Sequence, residues 1–257
     1  MSGDVTIDAW LGGRLSLEQP ARGHRVGSDA ALLAAAAFGE PKRIVDVGSG
    51  VGAVGLAAGL RRPEAQIALV EIDEASAAMA QRNAERNGMA ARVQIVVCDV
   101  TSAKARRVAG LLDGGADLVL TNPPYYEEPR SQASPDLRRA RAHVLPRGTS
   151  AESALMAWMR ASVALLAPRG RLIIVHRPDR MFEIVSALEG RCGGVTILPV
   201  YPRAGAPAHR ILIAGTLGTR APPRIAPGLV LHGADGAMTL EAVAAHRGEA
   251  ALNWGGD

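Results

Sequence analysis

Residues 46–52 read Asp46-Val47-Gly48-Ser49-Gly50-Val51-Gly52, and residues 121–126 read Thr121-Asn122-Pro123-Pro124-Tyr125-Tyr126. The first stretch sets a carboxylate ahead of glycines at alternate positions. Glycines spaced this way let a backbone approach a ligand and then turn into a helix. Two further acids close apolar runs downstream: Glu71 after QIALV and Asp99 after RVQIVVC. A carboxylate at Asp46 would repel a pyrophosphate but can pair with an ammonium group. Glu71 can accept hydrogen bonds from two ribose hydroxyls, and Asp99 from an adenine amino group.

Taken together, these groups describe a ligand with an amine, a ribose and an adenine but no phosphate, which is S-adenosylmethionine. Simpler readings exist for each part. The glycines alone would serve a tight strand-to-helix turn, and Gly50, Gly52 and Gly55 have the GxGxxG spacing of a dinucleotide fold. Any one of the acids could be a helix N-cap or an exposed strand end.

The second stretch suits chemistry on a conjugated nitrogen. The amino group of adenine, or of a glutamine amide, is a poor nucleophile because its lone pair is delocalised. Accepting hydrogen bonds from both of its N–H groups favours a more tetrahedral nitrogen and holds it in line with an electrophile. Asn122 offers a side-chain carbonyl for this, and Pro123 a backbone carbonyl. Consecutive prolines at 123 and 124 fix φ and remove competing backbone donors. Tyr125 offers a ring for stacking; Tyr126 either lines the pocket or packs. The plain alternative is a proline-terminated strand with a buried tyrosine.

The elements that would position these groups alternate. Short β runs at 43–47, 66–72, 92–99, 117–121 and 171–176 are separated by helical runs at 53–60, 74–88, 101–112 and 149–167, with a further helix at 179–189. Runs at 195–201 and 210–217 follow as strands joined without a helix, which predicts antiparallel pairing. The early strands are apolar throughout, as expected for a parallel sheet covered on both faces. This predicts an α/β fold: a mostly parallel seven-stranded sheet with an antiparallel last strand and helices on both sides. Residues 1–42 read as an N-terminal extension with its own helix, 43–217 as the core, and 218–257 as a Pro/Gly-rich C-terminal appendage or hairpin.

The chain resembles the class I S-adenosylmethionine-dependent methyltransferases, a Rossmann-like fold, over roughly residues 25–215. DVGSGVG is similar to their first motif, ALVEID to the second, VCDV to the third, and TNPPY to the fourth motif of the amino-methyltransferases. Within that class, residues 11–37 resemble the bacterial family of tRNA (valine) adenine-N6 methyltransferases. Arg25, Gly27, Ser28, Asp29, Leu32 and Leu33 fit its R-x-G-[ST]-D-x-x-L-L run. The resemblance implies S-adenosylmethionine as cofactor, held by Arg25, Ser28, Asp29, Asp46, Gly48, Ser49, Gly50, Gly52, Glu71, Ile72, Asp99, Val100 and Asn122. It implies Asn122, Pro123, Pro124 and Tyr125 as the catalytic group. Ser28 or Asp29 would equally serve as an N-cap for the alanine-rich helix that follows.

The acceptor stays open among adenine of DNA or RNA, guanine N2 of ribosomal RNA and a protein glutamine amide. An inactive nucleotide- or RNA-binding module is the non-enzymatic alternative. The N-terminal resemblance favours adenine N6 in a tRNA anticodon loop. A long C-terminal aromatic or basic motif, present in better-known relatives, is absent here. Arg130, Arg138, Arg139, Arg141 and Arg147, with His143, follow the acceptor motif and could clamp RNA phosphates beside a splayed base, with Tyr126 alongside. They could equally form a solvated loop. Arg203 and Arg210 would extend that basic face or merely flank the last strands.

Bulk properties set outer bounds. The chain has 257 residues, 48% hydrophobic and 21% charged, with net charge +4, so a soluble globular protein with a mildly basic balance is expected. Its two cysteines, Cys98 and Cys192, lie far apart, which argues against a disulfide framework or a metal site. The opening MSGDVTIDAW lacks the pattern of a signal peptide, and AALLAAAAF is too short to span a bilayer. A cytoplasmic protein without metal is expected.

Overall fold

The computed structural model describes residues 4–23, 25–124 and 153–255. The chain opens with β1 (Val5–Trp10) and β2 (Leu15–Pro20), an antiparallel hairpin. Helix α1 (Ser28–Ala36) follows. The core then runs β3 (Arg43–Val47), α2 (Ala53–Leu60), β4 (Gln66–Glu71), α3 (Glu74–Arg86), β5 (Val93–Val97), α4 (Ala103–Val108), β6 (Ala116–Thr121), α5 (Ala154–Ala164), β7 (Leu166–His176), α6 (Met181–Leu188), β8 (Cys192–Arg203) and β9 (Arg210–Leu217). Two short strands, β10 (Arg224–Ile225) and β11 (Leu229–His232), and helix α7 (Leu240–His246) complete it.

The core strands pair in the order β8-β9-β7-β6-β3-β4-β5. β9 alone runs against its neighbours, antiparallel to both β7 and β8. This is the predicted seven-stranded sheet with its last strand reversed. β10 and β11 add to the free side of β8, each parallel to it, so the segment expected to be a hairpin continues the core sheet.

Pleating divides the core. Ile44 and Leu120 join one apolar layer with α1, α2 and the hairpin, while Val45, Val47 and Val119 join the other with α5 and α6. α1 has no exposed apolar stripe because its residues from Ala30 to Ala36 are all buried. Its expected N-cap differs from the observed one. Gly27 occupies the cap position and no side chain caps the helix; Ser28 is already helical. α5 begins at Ala154 and is capped by Ser153, whose hydroxyl accepts from Met156 N, so the helix starts later than the expected 149. Thr149, Ser150 and Glu152 lie outside the described residues.

Two amides of α3 and its C-cap bind the hairpin to the core: Asn87 exchanges hydrogen bonds with the Ser16 backbone, and Asn83 reaches deeper. Asn83 is fully buried on α3; its Oδ1 accepts from Glu18 N at 2.6 Å, and its Nδ2 donates to Glu18 O and Val51 O at 2.9 and 3.0 Å.

Candidate active site

Parallel register brings four strand ends to one edge. Val47 lies beside Val70 on one side and Thr121 on the other, and Glu71 lies beside Val97. Chain order reverses at β3, with β4 and β5 to one side and β6 to the other. Open α/β sheets bind ligands at such a switch point, outside the C-terminal ends of the strands.

The glycine turn sits there in a backbone conformation that side chains resist. Gly48, Gly50 and Gly52 have φ of +71°, +54° and +86°. Gly48 N and Ser49 N both donate to Val70 O, at 2.9 and 3.0 Å. A Cβ on Gly52 would come within 2.8 Å of Leu69, and one on Gly55 would overlap Leu69 outright. A Cβ on Gly50 would meet open space.

Glu71 fastens the turn. Its Oε2 accepts from Gly50 N at 2.8 Å, and its Oε1 accepts from Ile72 N and Asp73 N at 2.8 and 2.9 Å. Asp99 uses Oδ1 for Thr101 N and Oγ1, at 2.9 and 2.6 Å. Gly48, Glu71, Ile72, Asp99 and Val100 line one cleft; Ser49, Gly50, Gly52 and Asn122 are not in its lining.

Asp46 differs. The pleat turns it with Ile44 toward α2, where it is 1% exposed and accepts from Gly55 N at 2.8 Å. It does not line the cleft. Burial pushes its carboxyl up to about 7, opposed by the Gly55 hydrogen bond and reinforced by the Glu71 charge. Its place is beneath the turn, holding α2 to β3, and not in the open position from which a carboxylate would meet an ammonium group.

Arg25 is likewise drawn elsewhere. Its guanidinium pairs with Asp8 at 2.8 Å and bonds Thr6 and Pro20 O, all on the hairpin. Asp29 pairs with Arg210 at 2.9 Å, joining the start of α1 to the start of β9. Ser28 is exposed. Arg25, Ser28 and Asp29 are thus absent from the cleft lining.

Asn122 follows directly on β6. Its Oδ1 is closed off from solvent and accepts no hydrogen bond among the described residues; the same holds for Ser49 Oγ. A buried carbonyl oxygen without a donor costs about 1–3 kcal/mol, so such a group is retained where a ligand supplies the missing donor. Pro123 is buried and Pro124 exposed. Tyr125, Tyr126, Arg130, Arg138, Arg139, Arg141, His143 and Arg147 lie outside the described residues.

Three lining residues, Val70, Cys98 and Trp158, were not among the expected site residues. Trp158, on α5, stands over Gly48: a Cβ there would meet its Cζ2 at 2.8 Å. Its indole N–H donates to Thr121 Oγ1 at 2.9 Å. Only the fold brings α5 back over the glycine turn, so no local pattern announces this contact. Cys98 also lines the cleft; burial pushes its thiol up, as does the neighbouring Asp99 charge, so it is a wall and not a nucleophile.

The cleft fits S-adenosylmethionine in its lining: a carboxylate anchored at a strand end, a second carboxylate one strand over, an apolar Ile72 and Val100 for a flat base, and Gly48 at the turn. Among the described residues no His/Cys/Asp/Glu cluster could hold a metal, and no helix is long and apolar enough to cross a membrane.

Comparison with known proteins agrees with this chemistry. Residues 25–149 match the family model described as the methyltransferase small domain. The tRNA1(Val) (adenine(37)-N6)-methyltransferase of Serratia proteamaculans is 33% identical over 196 residues, covering 75% of this chain and 70% of that protein. Its counterpart from Aeromonas hydrophila is 30% identical over 215 residues, covering 82% and 84%. The crystal structure of a predicted O-methyltransferase from Agrobacterium tumefaciens superposes with a TM-score of 0.72 at 30% identity, covering 87% of this chain and 98% of that one. With the sheet order, the glycine turn and these relatives in agreement, the chain belongs to the class I S-adenosylmethionine-dependent methyltransferases, in the family of the tRNA1(Val) (adenine(37)-N6)-methyltransferases.

Proposed function

We propose that this chain methylates the exocyclic N6 of an adenine in a tRNA anticodon loop, adenine 37 of tRNA1(Val) being the first substrate to test. The observation that carries this reading is the buried, donor-free Oδ1 of Asn122 at the end of β6, one residue past the strand end beside Val47. The activity named for the Serratia and Aeromonas relatives supports the choice of RNA.

The cofactor supplies an electrophilic methyl group on a sulfonium. Glu71 holds the glycine turn open and keeps the ribose side of the cleft polar. Ile72 and Val100 grip a planar base, and Asp99 has a second carboxylate oxygen available to an amino group. Asn122 Oδ1 accepts one N–H of the target amine and directs the nitrogen lone pair toward the methyl group. Alkylated by the bound sulfonium, which would leave as the thioether, the nitrogen would become cationic and release a proton to water, so no side-chain base is required. Pro123 O is the second acceptor and Tyr125 the stacking ring in this reading. Arg130, Arg138, Arg139 and Arg141, with Tyr126, hold the RNA.

The Agrobacterium relative's name favours a second reading, transfer to oxygen. A hydroxyl acceptor needs a base to remove its proton, and the Asn122 amide is not one. The deciding experiment incubates the protein with labelled S-adenosylmethionine and total tRNA, ribosomal RNA or protein, followed by nucleoside and amino-acid analysis. Label in N6-methyladenosine from tRNA is expected. Label in a 2′-O-methyl nucleoside, in N2-methylguanosine or in glutamine would overturn the assignment.

A further inference from the structure

A second cleft lies on the flank of the molecule, where the hairpin turn, α1, α2 and α7 meet. Its floor is apolar, built from Leu11, Ala31, Ala34 and Ala57. Two guanidinium groups reach it: Arg14 from the hairpin turn and Arg61 from the C-cap of α2. Arg14 Nη1 donates to Gly248 O. Arg61 Nη1 is closed off from solvent and donates to nothing among the described residues.

No described carboxylate pairs with either arginine. The nearby Arg247 forms its ion pair with Glu249, at 3.3 Å. Burial, together with the like charge of Arg14, pulls the Arg61 guanidinium below its ordinary value. Arg61 gains something from the negative end of the α2 dipole. That accounts for one cation at the helix end, not for a second one pressed beside it. Arg14 is exposed and Arg61 half-buried; the closed-off Nη1 of Arg61, without an acceptor against an apolar wall, costs free energy that an anion joining the two would relieve. Guanidinium groups match the planar, multi-acceptor geometry of phosphate better than any other side chain.

We propose that Arg14 and Arg61 form a phosphate-binding site on this flank, separate from the methyl-transfer cleft. α2 begins at the glycine turn and ends at Arg61; its eight residues span about 12 Å. An RNA whose loop lies at the strand ends could therefore place a backbone phosphate here, and so could a free phosphate. The proposal does not depend on which nitrogen or oxygen accepts the methyl group.

The test follows thermal unfolding of the full chain in inorganic phosphate against chloride at equal ionic strength, for wild type, Arg61→Gln, Arg14→Gln and Arg61→Lys. At a tenfold excess over Kd the wild type should rise by about 3–6 °C more than either glutamine variant. Arg61→Lys, which keeps the charge, should retain part of that rise. Should Arg61→Gln fail to fold, Arg14→Gln carries the comparison. No rise in the wild type, or an equal rise in all variants from a general salt effect, overturns the proposal. A second arm measures tRNA binding against salt. If RNA supplies the phosphate, Arg61→Gln weakens tRNA binding and lowers the slope of log K against log salt by roughly 0.7–0.9. If free phosphate is the ligand, tRNA binding is unchanged while the thermal difference persists.

Discussion

The indole N–H of Trp158 donates to the Thr121 hydroxyl at 2.9 Å, and that hydroxyl donates to Val47 O at 2.9 Å. The two bonds tie α5 to the ends of β6 and β3, one residue before Asn122 and one before Gly48. Replacing Trp158 with Phe keeps a ring over Gly48 but removes the donor. We expect a loss of about 0.5–1.5 kcal/mol in stability, read by urea unfolding. We expect kcat to fall by about tenfold or more, with cofactor Kd changing much less, because Asn122 loses its alignment. A Kd that weakens in step with kcat would make Trp158 only a wall of the cleft.

Asn122→Ala should retain cofactor affinity in calorimetry and lose methyl transfer by about 10²–10³-fold, the usual cost of removing one preorganised hydrogen-bonding group from a transition state. Activity within a few-fold of wild type would remove Asn122 from the mechanism.

Glu71 accepts three backbone N–H groups, from Gly50, Ile72 and Asp73. Glu71→Ala leaves all three without this partner and lets the glycine turn relax. Water can replace the partner of Ile72 N and Asp73 N, which are exposed, but the part-buried Gly50 N loses its anchor; cofactor Kd should weaken by roughly tenfold or more, measured by titration calorimetry, because the turn no longer holds one shape.

Much of this site was legible beforehand. β3, α2 and β9 run where their apolar and β-branched residues placed them, because parallel strands buried on both faces leave a continuous apolar signature. Glu71 and Asp99 sit at successive strand ends and line one cleft, which strand order alone could place. Asp46 misled because the pleat, not the chain position, decides which way a side chain points. Trp158 was hidden by distance, 37 residues from its partner Thr121. The hairpin was readable and overlooked: VTIDAW alternates, LSLEQP follows, and Gly12-Gly13 lies between them, which is a turn signal. Arg25 follows that hairpin and bonds to it, whereas the family resemblance alone assigned it to the cofactor.

Asp46 gives a pH signature. Its carboxyl is pushed from 3.8 to about 7 in the folded chain. Between these values the folded protein holds a proton that the unfolded chain has released, so this group's contribution to stability declines as pH rises from about 4 to about 7 and is level above that. Asp46→Asn does not titrate. The stability of wild type minus that of the variant should therefore fall over this window, by up to about 4 kcal/mol, in urea titrations at pH 4.5, 6 and 8. A difference independent of pH would show that Asp46 is ionised in the fold.

Asn83 is the single amide that joins the hairpin, α3 and the glycine turn. Asn83→Ala should lower stability by about 2–4 kcal/mol, equivalent to roughly 4–16 °C in Tm. Hydrogen exchange should speed up first in residues 15–20. Unchanged protection there would mean that Asn87, the Glu18 ion pairs and apolar contacts hold the hairpin without Asn83.

The two short strands beside β8 have a bearing on how molecules of this protein meet one another. β8 is 12 residues long, and without them its outer side would offer an open ladder of N–H and C=O groups on which another chain could template. β10 pairs for two residues only; β11 follows after Ala226-Pro227-Gly228 and pairs further along. Proline and glycine break the added rim into pieces too short to extend. The C-terminal segment thus acts as a selvedge: it finishes the sheet so that the fabric neither unravels nor stitches itself to its neighbour.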